Sequence, residues 1–152
     1  MDGPAEAKNY AYKLLAIEPR TESELLKKLS AKFDINTSND AVAFLKKRGL
    51  IDDMKYAEDR ALMERESLKG PDHIREVLKK KGVPDGIIEK ILSAGGADVR
   101  DMAYRAAQER VRLLRGLPKE KAMKRLYDYL ARRGYDMELV ESVTKEVTKD
   151  LN

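Results

Sequence analysis

The chain has 152 residues, 38% of them charged, with a net charge of +4, one histidine and no cysteine. That length suits one domain or a few very small ones, and the missing cysteines exclude disulfides and thiolate zinc sites, as the single histidine excludes multi-histidine metal centres. No apolar run approaches the roughly 18 residues of a spanning helix, and the N-terminus MDGPAEAKNY does not resemble a signal peptide, so a cytoplasmic protein without a membrane partner is expected.

Apolar residues recur at spacings of three and four, as in Leu25, Leu26 and Leu29, then Ile74, Val77 and Leu78, then Leu126, Tyr127 and Leu130. No alternating run is long enough for a strand, so the expected class is all-α. The pattern predicts helices over 5–17, 22–32, 38–48, 53–69, 71–81, 84–93, 98–115, 118–133 and 136–150. Thr21 with Glu24 makes a capping box, Asp98 and Asp136 suit N-caps, and Pro71, Pro84 and Pro118 suit first helical positions. Gly49, Gly70, Gly82, Gly95, Gly96, Gly116 and Gly134 punctuate the stretches between.

These helices fall into three triplets. LKKKGVPDGII (78–88) matches LARRGYDMELV (130–140) in its leucine, its glycine four residues on and its aliphatic ten residues on. The first triplet fits less well, because no glycine follows Lys32 and a polar NTSND stands at 36–40; its third helix is expected to start late or to carry an extra turn. A period near 50 residues indicates three tandem three-helix, helix-turn-helix-like repeats, 1–53, 54–98 and 99–152. A triplet of that size buries little alone, so stacking into an elongated curved rod is expected.

LKKRGL, LKKKGV and LARRGY each place a basic pair before a glycine. Cations in a last turn offset the helix dipole, and the glycine supplies a left-handed cap. In GLIDDMKYA (49–57), Gly49 and Leu50 end one helix and Tyr56 opens the next apolar face. Asp52 then caps the new helix, Asp53 lies in its first turn, and Ile51 packs on Tyr56 as a staple. Paired carboxylates could serve a metal or acid–base chemistry, but no third ligand lies at suitable spacing. His73, just after Pro71, reads as a surface or capping residue. No serine has a partnered histidine and no GxxxxGK[ST] loop is present, so no catalytic residue, cofactor or metal is expected and the chain is read as non-enzymatic. The seven tyrosines lie mostly on apolar stripes and read as half-buried core rather than as base-stacking platforms.

The positive charge is concentrated. Residues 1–53 and 54–98 each carry nine basic and nine acidic side chains, whereas 99–152 carries thirteen against nine. Arg105, Arg112, Arg115, Lys121, Lys124, Arg125, Arg132 and Arg133 are too many to be caps. With Lys79 and Lys80 they form the candidate basic face for nucleic acid or an acidic protein groove, to be weighed against a merely solvated surface.

GLIDDMKYA closely resembles the segment that joins the first two repeats of RecX proteins, which makes Gly49, Leu50, Asp52, Asp53 and Tyr56 a structural signature. TESELLKKL (21–29), GPDHIREVLKKKGV (70–83) and RLYDYLARRGYDMELV (125–140) resemble the family's three middle helices, in order, across nearly the whole chain. The resemblance implies a cytosolic protein of three helical repeats that modulates, and usually inhibits, RecA recombinase. It implies binding in the groove of the RecA filament, depressing strand exchange and ATP hydrolysis in SOS-linked DNA repair and recombination. A monomer, with DNA bound weakly or through the filament, is expected. The alternatives are a helix-turn-helix DNA-binding regulator, for which PDGIIEK and DMELVES make poor reading helices, and a generic nucleic-acid-binding protein.

Overall fold

The structure is a computed structural model that describes residues 3–94 and 98–151. Gly95 and Gly96, read above as punctuation, lie outside the described residues. Among these, nine α-helices and one 3₁₀ turn account for the regular structure: α1 (Pro4–Ile17), α2 (Glu22–Ser30), α3 (Ile35–Lys47), α4 (Asp53–Glu66), α5 (Pro71–Lys80), α6 (Asp85–Ala94), α7 (Val99–Val111), the 3₁₀ turn at Arg112–Leu114, α8 (Lys119–Arg132) and α9 (Met137–Thr148).

The start signals are local hydrogen bonds. Thr21 and Glu24 complete the capping box, the hydroxyl accepting the Glu24 amide at 3.1 Å and the carboxylate accepting the Thr21 amide at 3.3 Å. Asp98 and Asp136 accept the amides of Asp101 and Leu139. Two expectations are refined. The α3 helix does not start late but carries the alternative extra turn, because Asp34 accepts the Thr37 amide at 2.7 Å, and NTSND forms the first turns instead of a loop. Those polar residues are poor helix formers in mid-helix but well placed at an N-terminus. Pro118 is an N-cap rather than a first helical residue, and the Pro84 carbonyl likewise accepts the Ile88 amide ahead of α6; Pro71 does stand first in its helix.

Contacts divide the chain into two compact units, 1–60 with 78–90 and 61–77 with 91–152, so that α4, α5 and α6 contribute to both. The core of the first unit joins Ala7, Ala11 and Leu14 of α1, Leu25 and Leu29 of α2, and Ala41, Val42 and Leu45 of α3, closed by Phe33 and Ile51. Alanines on α1 let the α2 and α3 leucines approach its backbone closely, and packing at that density is what a single added methyl group disturbs. The second unit repeats the scheme with Met102, Ala103, Ala106 and Ala107 of α7, Ala122, Leu126 and Leu130 of α8, and Val140 and Val143 of α9, joined by Leu68, Leu114 and Tyr135.

The same joint occurs once in each unit: the start of one middle helix meets the glycine that ends the next. In the first, the Thr21 hydroxyl donates to the Lys81 carbonyl at 2.5 Å, and a Cβ on Gly82 would lie 2.5 Å from Ser23 Cβ. In the second, the Gly70 amide donates to the Arg133 carbonyl at 2.7 Å and the Asp72 amide to the Gly134 carbonyl at 3.0 Å. A Cβ on Gly134 would lie 2.4 Å from the His73 amide nitrogen, and φ there is +96°. Only glycine meets both demands.

Candidate nucleic-acid interface

Lys121, Lys124, Arg125 and Arg132 are exposed on α8. At 100° per residue they fall, with Asp128, inside a sector of about 100°. Ala122, Leu126 and Leu130 point to the opposite side, into the core. The one acid in the stripe, Asp128, lies 3.4 Å from Lys124, with both side chains well exposed. Such a pair contributes little stability and leaves the face positive. Arg105 on α7, Arg112 in the 3₁₀ turn and Arg115 just after it are exposed in the same unit, but on other elements. Lys79 and Lys80 end α5, are also exposed, and belong to the first unit.

Arg133 differs from its neighbour Arg132. It is half-buried, and its Nε donates to the Leu68 carbonyl at 3.3 Å while Nη2 donates to the Ser67 carbonyl. Leu68 is the only non-glycine with positive φ (+59°) among the described residues. The Tyr135 hydroxyl donates to the same Leu68 carbonyl at 2.7 Å. Burial pushes that hydroxyl up to about 12, against the opposing pull of the Arg133 charge. Arg133 therefore holds the end of α4 in place. Of the two adjacent arginines, only Arg132 is free of such a role.

The paired aspartates also separate. Asp52 accepts the Lys55 amide at 3.1 Å and caps its own helix. Asp53 accepts the amide of Glu22, at the start of α2, at 2.9 Å, and so pins α4 to α2. Burial raises its carboxyl above the ordinary value of 3.8, opposed by that hydrogen bond. Near them, Gly49, Leu50, Asp52 and half-buried Tyr56 line an open cavity of about 430 Å³ with Tyr12 and Leu15. His73 lies 3.1 Å from Glu64. Among the described residues no three His, Asp or Glu are grouped to hold a metal, and no helix is long and apolar enough to cross a membrane.

One cation escaped the sequence reading. Arg110 stacks over the Tyr129 ring at 4.7 Å, and Arg133 lies over the same ring at 5.2 Å. A tyrosine three residues before a basic pair, on a helix facing another arginine-bearing helix, was the available signal.

Capped three-helix groups, a cationic helix face and glycine-fitted joints define an all-α repeat protein. The first three-helix domain of RecX matches residues 7–45 and the third matches 98–144. The regulatory protein RecX of Chlorobaculum tepidum is 34% identical over 145 residues, spanning 94% of this chain and 89% of that one. Its counterpart in Clostridium perfringens is 30% identical, spanning 95% and 70%. A crystal structure of regulatory protein RecX aligns with TM-score 0.78 at 27% identity, over 97% of this chain and 71% of that one. RecX from Lactobacillus salivarius has the same fold, with TM-score 0.82 at 23% identity over 95% and 96% of the two chains. The chain belongs to the RecX family of regulatory proteins.

Proposed function

We propose that this protein is a non-enzymatic modulator, in sense an inhibitor, of RecA recombinase filaments. It acts by occupying the filament groove and depressing strand exchange and ATP hydrolysis. Family membership supports the partner, and the observation that carries the mechanism is the acid-poor cationic face of α8. A filament of recombinase on DNA is strongly anionic, and a positive face draws to it at long range. The three repeats, 1–53, 54–98 and 99–152, supply separate weak contacts whose simultaneous engagement multiplies affinity, so assembled filament is bound better than bare strand. The protein works in the cytoplasm as a monomer. Single-stranded-DNA-dependent ATP hydrolysis by RecA tests this: the rate falls as the protein is added up to stoichiometric excess, and a flat rate overturns the reading.

A further inference from the structure

Residues 49–56 join α3 to α4, and two of their apolar side chains are left uncovered: Leu50 is 47% exposed and Tyr56 only half-buried. Tyr12, 42% exposed on α1, and half-buried Leu15 complete the apolar lining of the cavity of about 430 Å³, and all of its lining residues belong to the first unit. The core does not need these exposures, since Ile51 and Ala57 are the members of the segment and its helix that are buried. Uncovered rings and a leucine around a concave site are what a partner's side chain buries. The charges at the cavity are unequal in availability. Arg20 is engaged internally, its Nε donating to the Leu14 carbonyl at 3.3 Å and its Nη1 lying 3.6 Å from Glu18. Lys55 and Asp59 form an exposed pair at 3.7 Å. Asp52 uses one oxygen on the Lys55 amide and forms no ion pair among the described residues. The accessible rim is therefore acidic, in a chain whose net charge is +4.

We propose that this cavity docks a basic, apolar-bearing segment of a partner protein: a leucine or phenylalanine enters among Tyr12, Leu50 and Tyr56, and an arginine or lysine beside it meets Asp52. Charge decides the class of occupant. A nucleic-acid strand would bring phosphates against Asp52 and Asp59 and is repelled, whereas a cation gains from Asp52 and from the neighbouring tyrosine rings. The apolar anchor supplies most of the affinity, and the rim charge supplies selectivity. The site uses no residue of α8, so it goes beyond the function proposed above and does not rest on it.

The test uses the whole isotope-labelled chain and a short glycine–serine peptide carrying one leucine flanked by two arginines, without RecA, so a flat rate in the ATP hydrolysis assay leaves it unaffected. The peptide shifts the amide resonances of Leu50, Asp52 and Tyr56 saturably, and a counterpart with glutamates in place of the arginines binds about tenfold more weakly. Leu50→Ser weakens the arginine peptide by about tenfold, as loss of one buried aliphatic contact does. Asp52→Asn keeps an N-cap but not the charge, and weakens it by about threefold. Ile35→Ser, a similarly exposed aliphatic on α3 outside the cavity, changes nothing. Unmoved wild-type resonances, equal binding of the glutamate peptide, or unchanged affinity in Leu50→Ser overturns the proposal. Oligothymidylate moving the same resonances replaces the partner protein with a nucleic-acid strand. Resonances that move with the concentration of the chain alone, and cease to in Leu113→Ser, replace it with a second copy, whose exposed Leu113 lies between Arg112 and Arg115 in sequence.

Discussion

The two glycine joints share a backbone plan and differ in how it is fastened. At the first, a side chain closes the gap: the Thr21 hydroxyl reaches the Lys81 carbonyl, and Lys81 lies 3.6 Å from Glu24. At the second, main chain meets main chain through the Gly70 and Asp72 amides, and Arg133 and Tyr135 add bonds to the end of α4. A crowding side chain can be removed by substitution, whereas crowding backbone cannot. The two joints should therefore fail differently under the same insult.

The largest contrast is expected from alanine at the two glycines. Gly134→Ala forces a methyl group against the His73 backbone at a left-handed position and should cost about 4 kcal/mol. Gly82→Ala, also left-handed but opposed by the Ser23 side chain, should cost about 2 kcal/mol. Urea midpoints measure both, and Ser23→Gly in the Gly82→Ala background should restore part of the loss. Equal costs with no recovery would show that the joints are fastened alike.

The adjacent arginines sharpen the comparison next. Arg133→Gln should lower stability by about 1.5 kcal/mol, since charged bonds to two carbonyls are lost, while Arg132→Gln should stay within about 0.5 kcal/mol. Thermal melts separate them, and only the second substitution then gives a clean reading of filament affinity.

The smallest effect concerns Asp53, which fastens the first unit. Its folded carboxyl is raised, so the folded chain holds its proton to higher pH than the unfolded chain. The stability it contributes is present below 3.8 and declines as pH rises through that value and on through the raised folded value. Asp53→Asn keeps an acceptor for the Glu22 amide without the buried charge. Wild-type stability relative to this variant should therefore fall across that window and then level off, in pH-dependent urea titrations. A difference that rises with pH would show that the hydrogen bond, not burial, controls the group.

Helical periodicity and caps were legible because both are local. Thr21, Asp98 and Asp136 announce their helices within four residues, and the leucine spacing marks the buried faces. Asp34 was overlooked because the polar run after it masked an ordinary helix start. The roles of Arg133 and Asp53 could not be seen locally, since their acceptor or donor lies 65 and 31 residues away along the chain. In sequence a basic pair before glycine looks the same whether its second member faces water or a distant carbonyl. Arg110 was missed for a related reason: its distinction is a shared ring on another helix, not a place in a charge run.

Leu68 carries a further lesson. A leucine in the left-handed region is disfavoured on its own; the local bonds of the Leu68 amide to the Arg65 carbonyl and of the Lys69 amide to the Glu64 carbonyl set it there, and Arg133 and Tyr135 add bonds to its carbonyl. The final turn of α4 thus gains its last bonds when the far end of α8 is in position. A nascent chain that has emerged as far as residue 70 should leave that turn frayed, and chain termination anywhere before Arg133 should expose it to proteolysis.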